Sequence, residues 1–312
     1  MKYGFGVDLG GTTVKIAYFN ESGDLLEKWE IPTVTKNDGQ QILPDIAASI
    51  LTYMKKEGID PQQLLGVGIG VPGPVTPNGV VNKCINLGWG IFNIEQTLSN
   101  MLNLPVKAGN DANVAALGES WLGSGDGCQN AVMVTLGTGV GGGIIVDGKV
   151  IAGVHGAGGE IGHITINREE TQLCSCGKRG CVEQYCSATG VVRIAKQVLE
   201  NSQAQSCMRN IEPLTCKDVF DCANADDALA KEALAQVYAY LGEFLANVCN
   251  VVNPQVIIIG GGVSKAGQCL IDGLRPHFDK HIFHAAKDVR FALASLGNDA
   301  GACGAFKLIL DR

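Results

Sequence analysis

Apolar runs separated by glycine-rich turns set the pattern at the N-terminus. Tyr3 to Leu9 is a nearly continuous apolar run that predicts a buried strand, Gly10-Gly11-Thr12-Thr13 predicts a tight turn, and Val14 to Phe19 predicts a second strand. Asn20-Glu21-Ser22-Gly23 then turns the chain into a third, Leu25 to Ile31. A similar order returns mid-chain as Ala131 to Leu136, the turn Gly137-Thr138-Gly139-Val140-Gly141-Gly142, Gly143 to Val146, Asp147-Gly148, and Lys149 to Ala152. The two meanders lie about 128 residues apart and read as a degenerate internal repeat, the alternative being coincidence between two Gly-rich hairpins.

Between the meanders, helix and strand signals alternate, which predicts α/β units. Ile42, Ile46, Ile50, Leu51 and Met54 recur on one helical face; Leu64 to Val71 reads as a strand; Asn93-Ile94-Glu95-Gln96 resembles a capping box that opens the next helix. Val106 to Ala108 predicts a short strand leading to Gly109-Asn110-Asp111, followed by a helical segment from Ala112 to Trp121. A long amphipathic helix is expected from about Asp226 to Val252, stopped by Pro254, and the strand Val256 to Ile259 runs into Gly260-Gly261-Gly262 before another helix. No low-complexity linker separates the halves, so two domains sharing a hinge are expected.

Composition narrows the class. At 312 residues the chain is long enough for about two domains. Glycine, 42 residues, is about twice its usual share, which without a G-X-Y period implies many tight turns and close backbone approaches. Lys and Arg number 24 against 31 Asp and Glu, a net charge of −7 with no long basic run, so nucleic acid is not an expected partner. No stretch of 18 apolar residues suggests a membrane span, and Gly and Asp interrupt any signal-peptide core near the N-terminus, so a cytoplasmic protein is expected. Twelve cysteines are then read as thiols or metal ligands, nine of them scattered.

Several groups carry candidate chemistry. The turns holding Gly10, Gly11, Thr12 and Thr13, and Gly137, Thr138 and Gly139, can present bare N–H groups to phosphate oxygens, although such hairpins are more often structural. Gly261 and Gly262 offer a further place for a nucleotide. Asp8 at a strand end suits a metal–phosphate complex or a plain turn cap, and Lys15 is read as a solvated lysine before a phosphate ligand. Asp111 at a helix start suits a general base or an ordinary N-cap. Cys174, Cys176 and Cys181 place three thiols within eight residues, and His163 can complete a tetrahedral zinc site; a redox pair or a metal-free cluster are the alternatives. Glu160 and Glu183 flank this loop, and a metal-bound His163 would keep one ring nitrogen for a ligand hydroxyl.

Taken in order, these pieces resemble the ROK family of sugar kinases and repressors, in the actin-like, hexokinase-like ATPase superfamily. The resemblance runs nearly end to end, through G-V-D-L-G-G-T-T-V-K at Gly6 to Lys15, G-I-G-V-P-G at Gly68 to Gly73, G-N-D-A-N at Gly109 to Asn113, and L-G-T-G-V-G-G-G at Leu136 to Gly143. It continues through G-G-E-I-G-H ending at His163, C-S-C-G-K-R-G-C-V-E ending at Glu183, I-G-G-G-V-S at Ile259 to Ser264, and L-G-N-D-A-G at Leu296 to Gly301. It implies two RNase H-like α/β domains with ligands in the cleft: residues 1–110 plus 300–312 as the smaller domain, residues 111–299 as the larger, and the last helix, Ala300 to Arg312, packed on the N-terminal domain. It also implies Asp111 as catalytic base; Asn86 in N-L-G-W, Asn110, Asp111, Glu160, His163 and Glu183 as sugar contacts; and His163, Cys174, Cys176 and Cys181 as zinc ligands. Asp8, Gly10, Gly11, Thr12, Thr13, Gly137, Thr138, Gly139, Gly261 and Gly262 would serve ATP and Mg2+.

The implied activity is ATP-dependent phosphorylation of a hexose, most like the family's glucokinases, with N-acetylmannosamine, fructose or allose as other acceptors. A sugar-sensing repressor of the same family would carry a helix-turn-helix domain in front, and the first strand at about Tyr3 leaves no room for one. A homo-oligomer, dimer or tetramer, is expected from the resemblance alone.

Overall fold

The computed structural model describes residues 1–312. In chain order the first half contains β1 (Tyr3–Leu9), β2 (Thr13–Asn20), β3 (Leu25–Pro32), α1 (Ile42–Glu57), β4 (Leu64–Val71), β5 (Val80–Cys84), β6 (Trp89–Asn93), α2 (Ile94–Leu102), β7 (Val106–Asn110) and α3 (Asp111–Trp121). The second contains β8 (Ala131–Leu136), β9 (Val140–Val146), β10 (Lys149–Val150), α4 (Glu183–Cys186), α5 (Ala188–Glu200), α6 (Cys216–Asn224), α7 (Ala228–Val252), β11 (Val256–Gly260), α8 (Gln268–His281), β12 (Arg290–Leu293) and α9 (Ala300–Leu310). No helix is long and apolar enough to cross a membrane.

Two five-stranded sheets share one topology. The first has the order β3-β2-β1-β4-β7 and the second β10-β9-β8-β11-β12, so each places a three-strand meander beside two strands reached by crossover. In the first, β1 and β2 pair antiparallel, while β4 lies parallel to β1 and β7 parallel to β4. The repeat in the sequence is therefore a repeat of fold, the duplicated architecture of the actin-like ATPases.

The chain divides into two compact units, Met1–Ala131 with Gly143–Gly159 and Ser295–Arg312, and Val132–Gly142 with Glu160–Ala294. The first unit extends past the expected boundary at 110, and the reason is helix packing. A Cβ on Gly304 of α9 would lie 1.7 Å from the Val114 carbonyl oxygen of α3, so only hydrogen at that position lets the two backbones touch. Glycines on the sheet work the same way: a Cβ on Gly6 or Gly68 would come within 2.0 or 1.6 Å of α9 carbonyl oxygens. The last helix thus lies on β1 and β4, and part of the glycine excess is explained.

Ile42, Ile46 and Ile50 of α1 are buried against Phe5, Val7 and Leu9, whereas Leu51, assigned to the same face from sequence, is 42% exposed. In the second unit β11 is wholly buried, and Phe244, Leu270 and Phe278 carry no exposed surface. Other expectations need correction. β9 starts at Val140 and not Gly143. Gly262 opens only a short 3-10 turn, Val263–Ala266, and α8 begins after Gly267, whose φ of 76° breaks the helix. Asn93 does cap α2 by accepting from the Gln96 N–H. Cys207 and Cys222, two of the scattered cysteines, lie side by side with Cα atoms 6.2 Å apart.

Candidate active site

In the first unit the turn between β1 and β2 is closed by Gly10 N–H to Thr13 O (3.0 Å) and braced by the Thr33 hydroxyl donating to Gly10 O (2.8 Å). Gly11 and Thr12 are exposed at its tip, and no atom lies within 4 Å of a Cβ built on Gly11. Asp8 sits opposite Lys15 in the β1–β2 register, 3.6 Å from its Nζ. Burial pushes the Asp8 carboxyl above its usual range while Lys15 pulls it down. Lys15 also donates to the Asn298 carbonyl at 3.4 Å, so it is not the solvated lysine expected. A Cβ on Gly301 would fall 2.6 Å from Asp8 Cγ, which places the start of α9 directly against that carboxylate.

β7 delivers Asn110 and Asp111 to the start of α3. The N-cap is Asn110, whose Oδ1 accepts from the Asn113 N–H (3.2 Å), and Asp111 is the first helical residue. Asn110 Nδ2 donates to Asp111 Oδ1 (3.0 Å) and to Gly73 O (3.3 Å), and Asp111 Oδ1 also accepts the Ala112 N–H (2.8 Å). The carboxylate is thereby oriented by its neighbours in the first turn, where aligned peptide dipoles favour negative charge. Asn86 is exposed in the Ile85–Leu87 turn, which Trp89 anchors by donating from Nε1 to Gly39 O at 3.1 Å.

In the second unit the Gly137-Thr138-Gly139 turn is held from below. Gly137 N–H reaches Gly139 O (2.9 Å), Ala188 N–H reaches Gly137 O (2.8 Å), and the Thr189 hydroxyl donates to Thr138 O (2.9 Å). Glu183 Oε2 accepts the Val140 N–H at 3.0 Å, an approach that requires glycine at 139, where a Cβ would lie 2.3 Å from the same oxygen. Glu183 Oε1 accepts from the Ser175 hydroxyl (2.8 Å) and the Cys174 thiol (3.5 Å). Both oxygens of this expected sugar contact are therefore engaged within the unit, tying the cysteine loop to the Gly137-Thr138-Gly139 turn. Gly261 and Gly262 are exposed beside the end of β8, with the Gly261 carbonyl accepting from Ser264 Oγ at 2.8 Å.

His163, Cys174, Cys176 and Cys181 bring one ligand atom each to within 4.8 Å of one another. Cys176 and Cys181 sulfurs are 3.6 Å apart, and His163 Nδ1 is 3.8 Å from Cys174 Sγ. A tetrahedron with metal–sulfur bonds of about 2.3 Å has edges of about 3.8 Å, so the donor set fits zinc in both chemistry and size. Burial, joined by the neighbouring thiols, pushes Cys181 up to about 12. Cys176 is lowered: burial opposes this, and the Lys178 N–H and the adjacent thiols outweigh it. The Lys178 ammonium closes the loop by donating to the His163 carbonyl at 2.8 Å. His163 Nε2 lies 4.0 Å from the exposed Glu160 carboxylate.

Two acidic residues that the sequence reading passed over are structurally prominent, Glu119 and Glu170. A carboxylate directly after the apolar run Val114 to Gly118 was the available signal for the first; nothing local marks the second.

The ROK family profile matches residues 4–312. A glucokinase of Halalkalibacterium halodurans is 43% identical over 304 residues, covering 96% of this chain and 92% of that protein. A glucokinase of Thermotoga maritima is 34% identical, covering 98% and 97%. The crystal structure of a ROK family glucokinase from Streptomyces griseus with glucose and AMPPNP superposes with a TM-score of 0.73 at 31% identity, covering 98% of each chain. Fold and motifs together define a sugar kinase of the actin-like ATPase type. The chain belongs to the ROK family.

Proposed function

We propose that the protein is an ATP-dependent glucokinase with Asp111 as its general base. Asp111 takes the proton of the glucose 6-hydroxyl as that oxygen attacks the γ-phosphorus, and the bond to the ADP oxygen breaks in line. Asn86, Asn110, Glu160, His163 and Glu183 hold the sugar hydroxyls; Glu183 Oε2, which accepts the Val140 N–H alone, keeps a second lone pair for this, whereas Oε1 already accepts from Ser175 and Cys174. Thr12, Thr13 and Thr138, with the N–H groups of Gly10, Gly11, Gly137 and Gly139, receive the phosphates, and Gly261 and Gly262 lie along the adenosine.

Asp8 is the residue to hold Mg2+, which supplies neutralisation of the β- and γ-phosphate charge. His163, Cys174, Cys176 and Cys181 would hold a structural zinc, which would fix the loop and the His163 ring and leave the other ring nitrogen to a sugar hydroxyl. The reaction belongs in the cytoplasm, where ATP is available.

The observation that carries this reading is Asp111 at the first turn of α3, oriented by Asn110, in a chain of this family. Asp111→Asn keeps shape and removes basicity, so kcat should fall by at least ~10²-fold while glucose affinity largely survives. Steady-state kinetics and equilibrium glucose binding check both. Retention of most of the kcat would remove Asp111 from the role.

A further inference from the structure

Five polar side chains are buried, Asn20, Asn113, Glu119, Ser120 and Ser187, and only Glu119, 0% exposed, carries an ionisable group. No cation pairs with it in any ion pair of the structure. Its oxygens are held by donors from two loops. Oε1 accepts the Leu296 N–H at 2.7 Å, and Oε2 accepts the N–H groups of Ser295 and Ser124, each at 3.1 Å, with the two serine hydroxyls at 3.5 and 3.4 Å. An apolar side chain here would leave the Ser124, Ser295 and Leu296 N–H groups without an acceptor, so the carboxylate is what ties both loops to α3.

The geography of the donors gives the group a purpose. Glu119 lies on α3, two turns along from Asp111 on the same rigid element. Ser295 is the first residue of the final segment of the first unit. That segment runs through Asn298, whose carbonyl accepts from Lys15, to Gly301, which packs on Asp8. One buried carboxylate thereby joins the helix bearing the base to the segment bracing the Asp8–Lys15 pair.

We propose that Glu119 is a positioning residue that fixes Asp111 relative to Asp8 and Lys15, a proposal that rests on the roles given to Asp111 and Asp8 above. Phosphoryl transfer depends on sub-ångström placement of base and metal-phosphate, and misplacement by about 1 Å can cost ~10²-fold in rate. A neutral amide cannot replace the carboxylate, because its NH2 would face at least one of the converging N–H groups.

In Glu119→Gln, kcat at saturating glucose and MgATP should fall ~10- to 100-fold while KM for glucose stays within about threefold of wild type. Glu119→Asp, which keeps the charge, should recover part of the loss. A folded Glu119→Gln enzyme with wild-type kcat overturns the proposal. Because this variant can fail to fold, hydrogen exchange on the wild-type chain is the second arm. The loop amides of Ser124, Ser295 and Leu296 should exchange as slowly as those in the middle of α3, and fast exchange at Ser295 and Leu296 overturns the clamp. That arm reads no turnover, so it fails separately from the glucokinase reading, which falls if wild-type protein releases no ADP with glucose.

Discussion

At the scale of single residues, Glu170 shows how far contacts distant in sequence decide chemistry. Its Oε2 accepts from the Tyr185 hydroxyl at 2.6 Å and from Arg193 Nη1 at 2.8 Å, and its Oε1 accepts the Gln172 N–H at 2.9 Å. Burial pushes the Glu170 carboxyl up, but the Tyr185, Gln172 and Arg193 donors outweigh it and hold the group at about 2, against an ordinary 4.5. Burial and the Glu170 carboxylate push Tyr185 up to about 12, so the phenol remains a donor at any working pH. The sign of the linkage follows: the unfolded chain binds the proton more tightly, so the stability from this carboxylate is complete above about pH 4.5 and is lost as pH falls from there towards 2. Urea midpoints measured from pH 6 down to pH 2 should therefore decline less steeply for Glu170→Gln than for wild type. Parallel curves would show that Glu170 does not carry this acid sensitivity.

At the scale of elements, the cysteine loop was legible because chemistry and spacing coincide: three thiols in eight residues, with glycines that let the loop fold back. Gly177 and Gly180 take φ of 84° and 75°, which other residues rarely adopt. The meanders were legible for the same reason, since apolar runs and glycine turns both mark them. The β5–β6 hairpin escaped because Val80–Cys84 and Trp89–Asn93 show no clean alternation, and β12 because four residues carry too little pattern. The loop also makes a quantitative prediction. Protein purified without chelator should contain about one zinc per chain, and Cys176→Ser should lose it. Since Cys174 and Ser175 contact Glu183, and His163 carries both a ligand nitrogen and the one facing Glu160, metal loss should weaken glucose binding as well as local protection from hydrogen exchange. Elemental analysis that finds no zinc would contradict the site.

At the scale of the whole molecule, duplication was visible in sequence because the same turn chemistry is required wherever a glycine-rich hairpin leads one strand into the next. The extent of the first unit was not, because it depends on α3 meeting α9 through Gly304, nearly 200 residues away in the chain. Glu119 was illegible for a related reason: its partners Ser295 and Leu296 are 176 and 177 residues distant. Motifs pointed to candidate residues, while the engagement of both Glu183 oxygens and the pairing of Lys15 with Asp8 appear only in the folded chain. Acceptor choice is the property of the complete molecule that tests the account most directly. In the proposed site, polar groups that bond free ring hydroxyls would be left unpaired by an acetamide at the 2-position, a mismatch that can cost up to ~10⁴-fold. In a coupled ADP-release assay across hexoses and N-acetylhexosamines, glucose should give the highest kcat/KM; a value for N-acetylmannosamine equal to or above that for glucose, or no sugar-dependent ADP release at all, would contradict the account.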